Sequence, residues 1–198
     1  HYGAEWSADS VEQSRAALEP RDIILPGLGD ARLATARDTS LPRAATLASS
    51  ADETWMRSVG VLPPLRAKWH ELPHSADVPR PLPAAGRSLY TMLAGYVDVL
   101  HPLAAPESFA SSGLLAALAL HAAQHVLVAT RTQMRHSKKG LETPDRGFTR
   151  PTVLVVVPFR SHANDFLRTL LSLLPSNIEQ VDNRARFEHE FAEEEGAA

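Results

Sequence analysis

Between Gly147 and Pro175 the chain reads GFTRPTVLVVVPFRSHANDFLRTLLSLLP, and no other stretch restricts its fold so tightly. Val153–Val157 is an unbroken run of branched aliphatic residues, closed by Pro158. A run that is apolar on both alternating faces predicts a strand covered on two sides, as in a parallel α/β sheet. Beyond it the period changes. Phe166, Leu167, Leu170, Leu171 and Leu174 recur at helical spacing, with Ser161 as the predicted N-cap. Strand, tight Pro-Phe-Arg corner and helix make half of a βαβ unit. The corner lies at the carboxyl end of the strand, where open α/β sheets place their ligands.

The N-terminal part is of another kind. Most of the 15 prolines fall before residue 109, a density that excludes long helices and interior strands. Residues 1–108 therefore read as an extended proline-rich arm with short helices, expected over Val11–Leu18, Ala51–Val59 and Gly86–Leu100. Bulky anchors (Trp6, Ile23, Ile24, Trp55, Leu65 and Trp69 among them) are spaced by Pro, Ala, Arg and Ser. Such anchors suit docking onto partner surfaces one side chain at a time, or packing on the chain's own α/β domain, and the sequence leaves both open.

A formal net charge of −3 excludes a chain that binds nucleic acid over its whole surface, so any such contact is local. Having no cysteine excludes disulfides, thiol catalysis and thiolate metal sites. No apolar window reaches transmembrane length without interruption, since Leu114–Val128 carries His121, Gln124 and His125, and no membrane partner is expected. A start at His1 and an acidic end suggest a piece of something longer.

Ser111-Ser112-Gly113 opens an Ala/Leu-rich segment that should be helical from about Gly113 to Arg135 and largely buried. A turn before such a helix is where a P-loop ATPase carries its phosphate loop. That loop needs a lysine for the β/γ-phosphates and a hydroxyl for Mg²⁺. Here Gly113 is followed by Leu114-Leu115, and the only lysines are Lys68, Lys138 and Lys139. Without the ammonium group the turn loses its main charge-assisted grip on a triphosphate. Ser111, Ser112 and Gly113 read as a degenerate phosphate loop, and neither a nucleotide nor any other cofactor is expected.

The connector after the helix is basic: Arg131, Arg135, Lys138, Lys139, Arg146 and Arg150 face only Glu142 and Asp145. It is either a solvated loop or a contact for RNA phosphates. His121 and His125 have the i, i+4 spacing of metal ligands, but no Glu stands between them and no cysteine completes a set, so no metal is expected. Ser161-His162 with Asp165 lacks the G-x-S-x-G elbow of a hydrolase.

The segment Leu120–Phe191, above all GFTRP-x-VL-x-x-x-PFR over Gly147–Arg160, resembles the family of digestive organ expansion factor, also called U3 small nucleolar RNA-associated protein 25. LPGLG (Leu25–Gly29), LPPLRAKW (Leu62–Trp69) and the Tyr90–Pro102 segment are looser matches. The resemblance implies a degenerate DEAD-box RNA helicase whose ATPase motifs have decayed. It implies a nuclear, nucleolar, non-catalytic factor of the small-subunit processome, with other processome proteins and pre-rRNA or U3 small nucleolar RNA as partners. The alternative is an active RNA-dependent ATPase with an unusual phosphate site.

On the family pattern Val153–Ser161 corresponds to the helicase segment Pro-Thr-Arg-Glu-Leu, a strand-end loop that holds the RNA backbone. Pro158 and Arg160 match; Phe159 replaces the threonine, and Ser161-His162 replace the glutamate and leucine. RNA contact is thus expected at Arg160, Ser161 and Arg150, joined by Lys138, Lys139 and Arg146 from the connector, with a partner-protein contact or an internal pair of Arg160 as the other reading. The fold class expected is α/β: residues 109–198 as the N-terminal part of a degenerate RecA-like domain with a parallel sheet, preceded by the arm.

Overall fold

The computed structural model of the chain describes residues 20–34, 51–75, 77–102, 107–140, 152–175 and 182–191. Among them are one two-stranded sheet and seven helices, a mixed α/β chain. Strands β1 (Arg21–Leu25) and β2 (Gly29–Leu33) pair antiparallel, with Arg21 opposite Leu33 and Leu25 opposite Gly29. Leu28 N–H closes the intervening turn by donating to the Leu25 carbonyl at 3.0 Å. Gly27 is required at the tip: its φ is +77°, and a Cβ there would lie 2.4 Å from Ala85 N. The Ser88 hydroxyl donates to the Pro26 carbonyl at 2.8 Å, which fastens the hairpin tip to the core.

The helices are α1 (Asp52–Ser58), α2 (Pro63–Glu71), α3 (Ala84–Ala94), α4 (Glu107–Ser111), α5 (Leu114–Lys138), α6 (Arg160–Leu173) and α7 (Arg184–Phe191). Prolines open α2, where a fixed φ and a missing N–H cost nothing. Acids in the first turn of α1 and Arg57 in its last match the helix dipole. Both α3 and α6 pack on α5, whose Ala116, Ala117, Ala119 and Ala123 are small enough to admit close neighbours. Trp55, Met56, Leu65, Trp69, Tyr90, Leu120 and Leu173 are fully buried in the single cluster that results. Trp55 meets Tyr90 edge-on, with centroids 5.4 Å apart. The Gln124 side chain ties the α1–α2 corner to α5, accepting from Leu62 N–H at 2.9 Å and donating to the Gly60 carbonyl at 3.0 Å.

One buried carboxylate holds these pieces in register. Asp52 accepts from Trp69 Nε1 at 3.0 Å, from Leu82 N–H at 3.0 Å and from an Arg87 guanidinium nitrogen at 2.7 Å. Its pair with Arg87 is buried on both sides (8% and 5% side-chain exposure). Such a pair adds little over an apolar pair, but removing one partner leaves a charge stranded in the core.

Several sequence expectations need correction. Val153–Val157 forms no strand: residues 152–157 have no regular secondary structure, with Leu154 87% and Val156 82% exposed. A strand satisfies its backbone only through a neighbouring strand, and no described segment pairs with this one; among the described residues the expected parallel sheet is not observed, and the sheet that is described is the hairpin. Ser161 is not the N-cap of α6. The helix begins at Arg160, with Phe159 in the cap position and no side-chain capping bond. The helix expected over Gly86–Leu100 ends at Ala94, because Tyr96 turns left-handed (φ 54°).

Other expectations meet the structure more closely. Helix α1 falls within Ala51–Val59, and α5 runs three residues past Arg135. Trp55, Leu65 and Trp69 pack in the chain's own core, whereas Ile24 faces solvent. Trp6 and Val11–Leu18 lie outside the described residues. By length and composition α5 could cross a bilayer, but most of Leu114–Ala123 is buried against the protein itself.

Candidate nucleic-acid interface and the closed turn

The turn that enters α5 is packed shut. Gly113 is buried at φ +78°, and a Cβ there would lie 2.8 Å from both Leu82 Cδ1 and Pro83 Cδ. Its N–H donates to the Ala110 carbonyl at 2.9 Å and its carbonyl accepts from Ala117 N–H at 3.0 Å. The Ser112 carbonyl accepts from Gly86 N–H at 3.2 Å, and the Ser112 hydroxyl donates to the Phe109 carbonyl at 3.1 Å. Leu114 and Leu115, in the places a phosphate loop gives to lysine and hydroxyl, are buried in the core. Ser111 is exposed at the end of α4. A phosphate cradle presents N–H groups to an open ligand space; here the Gly113 N–H is turned to Ala110, and Leu82 and Pro83 pack against the Gly113 backbone.

At its other end α5 is open and basic. Arg131, Arg135, Lys138 and Lys139 are exposed, and α5 contains no acidic residue. Gly140, at φ +67° with nothing within 4 Å of a Cβ, ends the helix, and Lys139 N–H donates to the Arg135 carbonyl at 3.2 Å. The cations also offset the negative end of the helix dipole. Arg146 and Arg150 lie outside the described residues.

The third group is at the start of α6. Ser161 is exposed there. Arg160 donates to the Glu190 carbonyl at 3.4 Å, and its guanidinium lies 5.9 Å from the Phe191 ring centre. Phe187 and Phe191 stack at 4.4 Å on α7, which is braced by the Arg184–Glu188 and Arg186–Glu190 ion pairs. Arg160 is therefore held by a carbonyl and a ring. Lys138 and Lys139 are exposed at the end of α5, and Arg160 and Ser161 are exposed at the start of α6, which packs on α5.

The His121 and His125 rings lie 6.4 Å apart, and among the described residues no three His, Asp or Glu side chains converge. Instead Tyr96 meets both rings edge-on at 5.9 and 5.8 Å, and its hydroxyl is hydrogen-bonded to His125 Nδ1 at 2.8 Å. Burial, with His125 second, holds the His121 pKa below its ordinary value. Burial pushes the Tyr90 phenol up. The His121–His125 spacing is visible in the sequence; Tyr96, in the turn after α3, carries no such mark.

Comparison with known proteins adds the lineage. The chain is 28% identical over 208 aligned residues, 98% of its length, to the U3 small nucleolar RNA-associated protein 25 homolog of Xenopus tropicalis. It is 29% identical over 199 residues to U3 small nucleolar RNA-associated protein 25 of Yarrowia lipolytica, covering 96% of this chain. To the Schizosaccharomyces pombe protein of that name it is 39% identical over 80 residues, 38% of this chain and 12% of that one. The chain spans about a quarter of the two longer-matching relatives, 26% and 28% of their lengths. No solved structure matches. The family model described as UTP25, NTP hydrolase-like domain, matches residues 96–198, and with relatives of one name aligning over nearly the whole chain, the chain belongs to the UTP25 family.

Proposed function

We propose that the protein to which this chain belongs is a non-catalytic factor of the small-subunit processome. It acts in the nucleolus in 18S rRNA maturation, holding other processome proteins and pre-rRNA or U3 small nucleolar RNA without hydrolysing ATP. The names of the relatives support the setting. One observation carries the absence of a motor: the turn at Ser112-Gly113, where the family's NTPase-like region would grip a triphosphate, is filled by Leu82 and Pro83 and followed by two buried leucines. In the finer reading residues 109–198 are the N-terminal part of a degenerate RecA-like domain. Residues 1–108 are its partner-facing arm and share a core with it through Trp55 and Trp69.

RNA contact in this reading falls to Lys138, Lys139, Arg146, Arg150, Arg160 and Ser161. Exposure of the two lysines supports it; Arg160 would have to exchange the Glu190 carbonyl for a phosphate. Ultraviolet crosslinking of the full-length protein in cells tests the reading. Crosslinks to pre-rRNA or U3 RNA are expected, reduced by substituting Lys138 and Lys139 together. Absence of such crosslinks, with the protein sedimenting apart from pre-ribosomes, would contradict it.

A further inference from the structure

We propose that Tyr96, His121, His125, Arg135 and Lys139 form one track for single-stranded RNA, a base stacking on Tyr96 while phosphates follow α5 toward its basic end. The inference rests on the RNA contact proposed above and places it on residues that nothing else assigns. Tyr96 is the first observation. It sits in the left-handed region at φ 54°, in the turn that closes α3, where Tyr96 N–H donates to the Leu93 carbonyl at 2.9 Å and Val97 N–H to the Met92 carbonyl at 3.2 Å. The bend puts the phenol at the surface, 59% exposed, while the hydrogen bond to His125 Nδ1 and edge contacts with both histidines fix its ring. A fixed, half-open aromatic ring is what a nucleobase stacks on.

Helical geometry supplies the second observation. At 3.6 residues per turn, Arg135 and Lys139 share a stripe of α5 with His121 and His125, and stand roughly 15 and 21 Å beyond His125 along the axis. Ala116, Ala119, Ala123 and Leu127 point the other way, into the core. The stripe continues through Val128 and Thr132, and α5 holds no Asp or Glu to repel a phosphate. Stacking ring at one end and exposed cations at the other span a few nucleotides of extended strand. The charge favours a polyanion, and the ring favours one with bases.

Fluorescence anisotropy on the whole chain tests this with labelled oligouridylate of about 12 nucleotides, an abasic strand of the same backbone, and duplex RNA. Wild type should bind oligouridylate roughly 5- to 100-fold more tightly than the abasic strand, the range one stacked base supports, and more tightly than duplex. Tyr96→Gly, which suits the left-handed backbone, should bring that ratio to about one, whereas Tyr96→Phe should keep it. Replacing Arg135 and Lys139 by Ala should lower the slope of log Kd against log salt by about 1.4, two phosphates at ~0.7 each. An unchanged ratio in Tyr96→Gly, or an unchanged slope in the double variant, overturns the track while leaving RNA contact elsewhere intact. Wild type that binds no oligonucleotide at low salt removes both readings, and preferred binding of an oligoglutamate peptide assigns the stripe to an acidic protein instead.

Discussion

The two ends of α5 differ in what each can do with phosphate. Its first turn follows Gly113, whose backbone N–H and carbonyl are spent on Ala110 and Ala117, and Leu82 and Pro83 occupy the space in front. Its last turn carries Arg135, Lys138 and Lys139 in solvent, ending at Gly140 with open space around it. A nucleotide motor needs its cation and its N–H groups at the start of the helix. This chain has closed that end with hydrocarbon and carries its positive charge at the opposite one, the end to which the proposed function assigns RNA.

The closed end rests on Asp52, because the carboxylate that accepts from Leu82 N–H also holds Arg87 and Trp69. Asp52→Ala should therefore have the largest effect, about 3–5 kcal/mol of stability, the cost of stranding a buried charge. Urea denaturation would show the lower midpoint. Next come the two glycines. Gly113→Ala should cost about 2–4 kcal/mol, combining left-handed strain with overpacking against Leu82 and Pro83. Gly140→Ala adds only the strain, ~1–2 kcal/mol. Equal losses at the two ends would break the comparison.

Titration should produce a smaller change. His121 is held below its ordinary pKa by burial, so just below pH 6.5 the unfolded chain takes up a proton that the folded chain resists. That stability is present above the ordinary value and lost as pH falls through it, and His121→Gln should flatten the loss in urea melts at about pH 7.5 and 5.5. Glu53, held at about 2 by the hydrogen bond from His70 and then by Arg57, acts in a separate window. Its contribution is present above 4.5 and lost as pH falls toward 2. The smallest effect belongs to Lys138→Ala, expected within ~0.5 kcal/mol of wild type, as suits a side chain that faces solvent.

What the sequence made legible follows from how each element satisfies its backbone. Helices close their own hydrogen bonds, so the local pattern located α5 and α6, and the spacing of prolines left room for α1. A strand depends on a neighbour that may lie anywhere in the chain, and the Val153–Val157 run, apolar as it is, stands exposed. The same limit hid the hairpin, whose Ile23, Ile24 and Leu25 read as separate anchors although Pro26-Gly27 marked a turn. Asp52 looks like a helix-opening surface acid until three donors from distant segments surround it. At the candidate site the missing lysine and the basic run were readable residue by residue. The plug of Leu82 and Pro83, the hold of α7 on Arg160, and Tyr96 between two histidines come from elsewhere in the chain and required the fold.

The proposed absence of a motor is tested most directly by radiolabelled ATP, with Mg²⁺ and with and without RNA, on the full-length protein. The closed turn predicts no saturable nucleotide binding and no RNA-stimulated release of phosphate. Measurable hydrolysis that RNA accelerates, and that substitutions at Ser112 or Gly113 abolish, would contradict it.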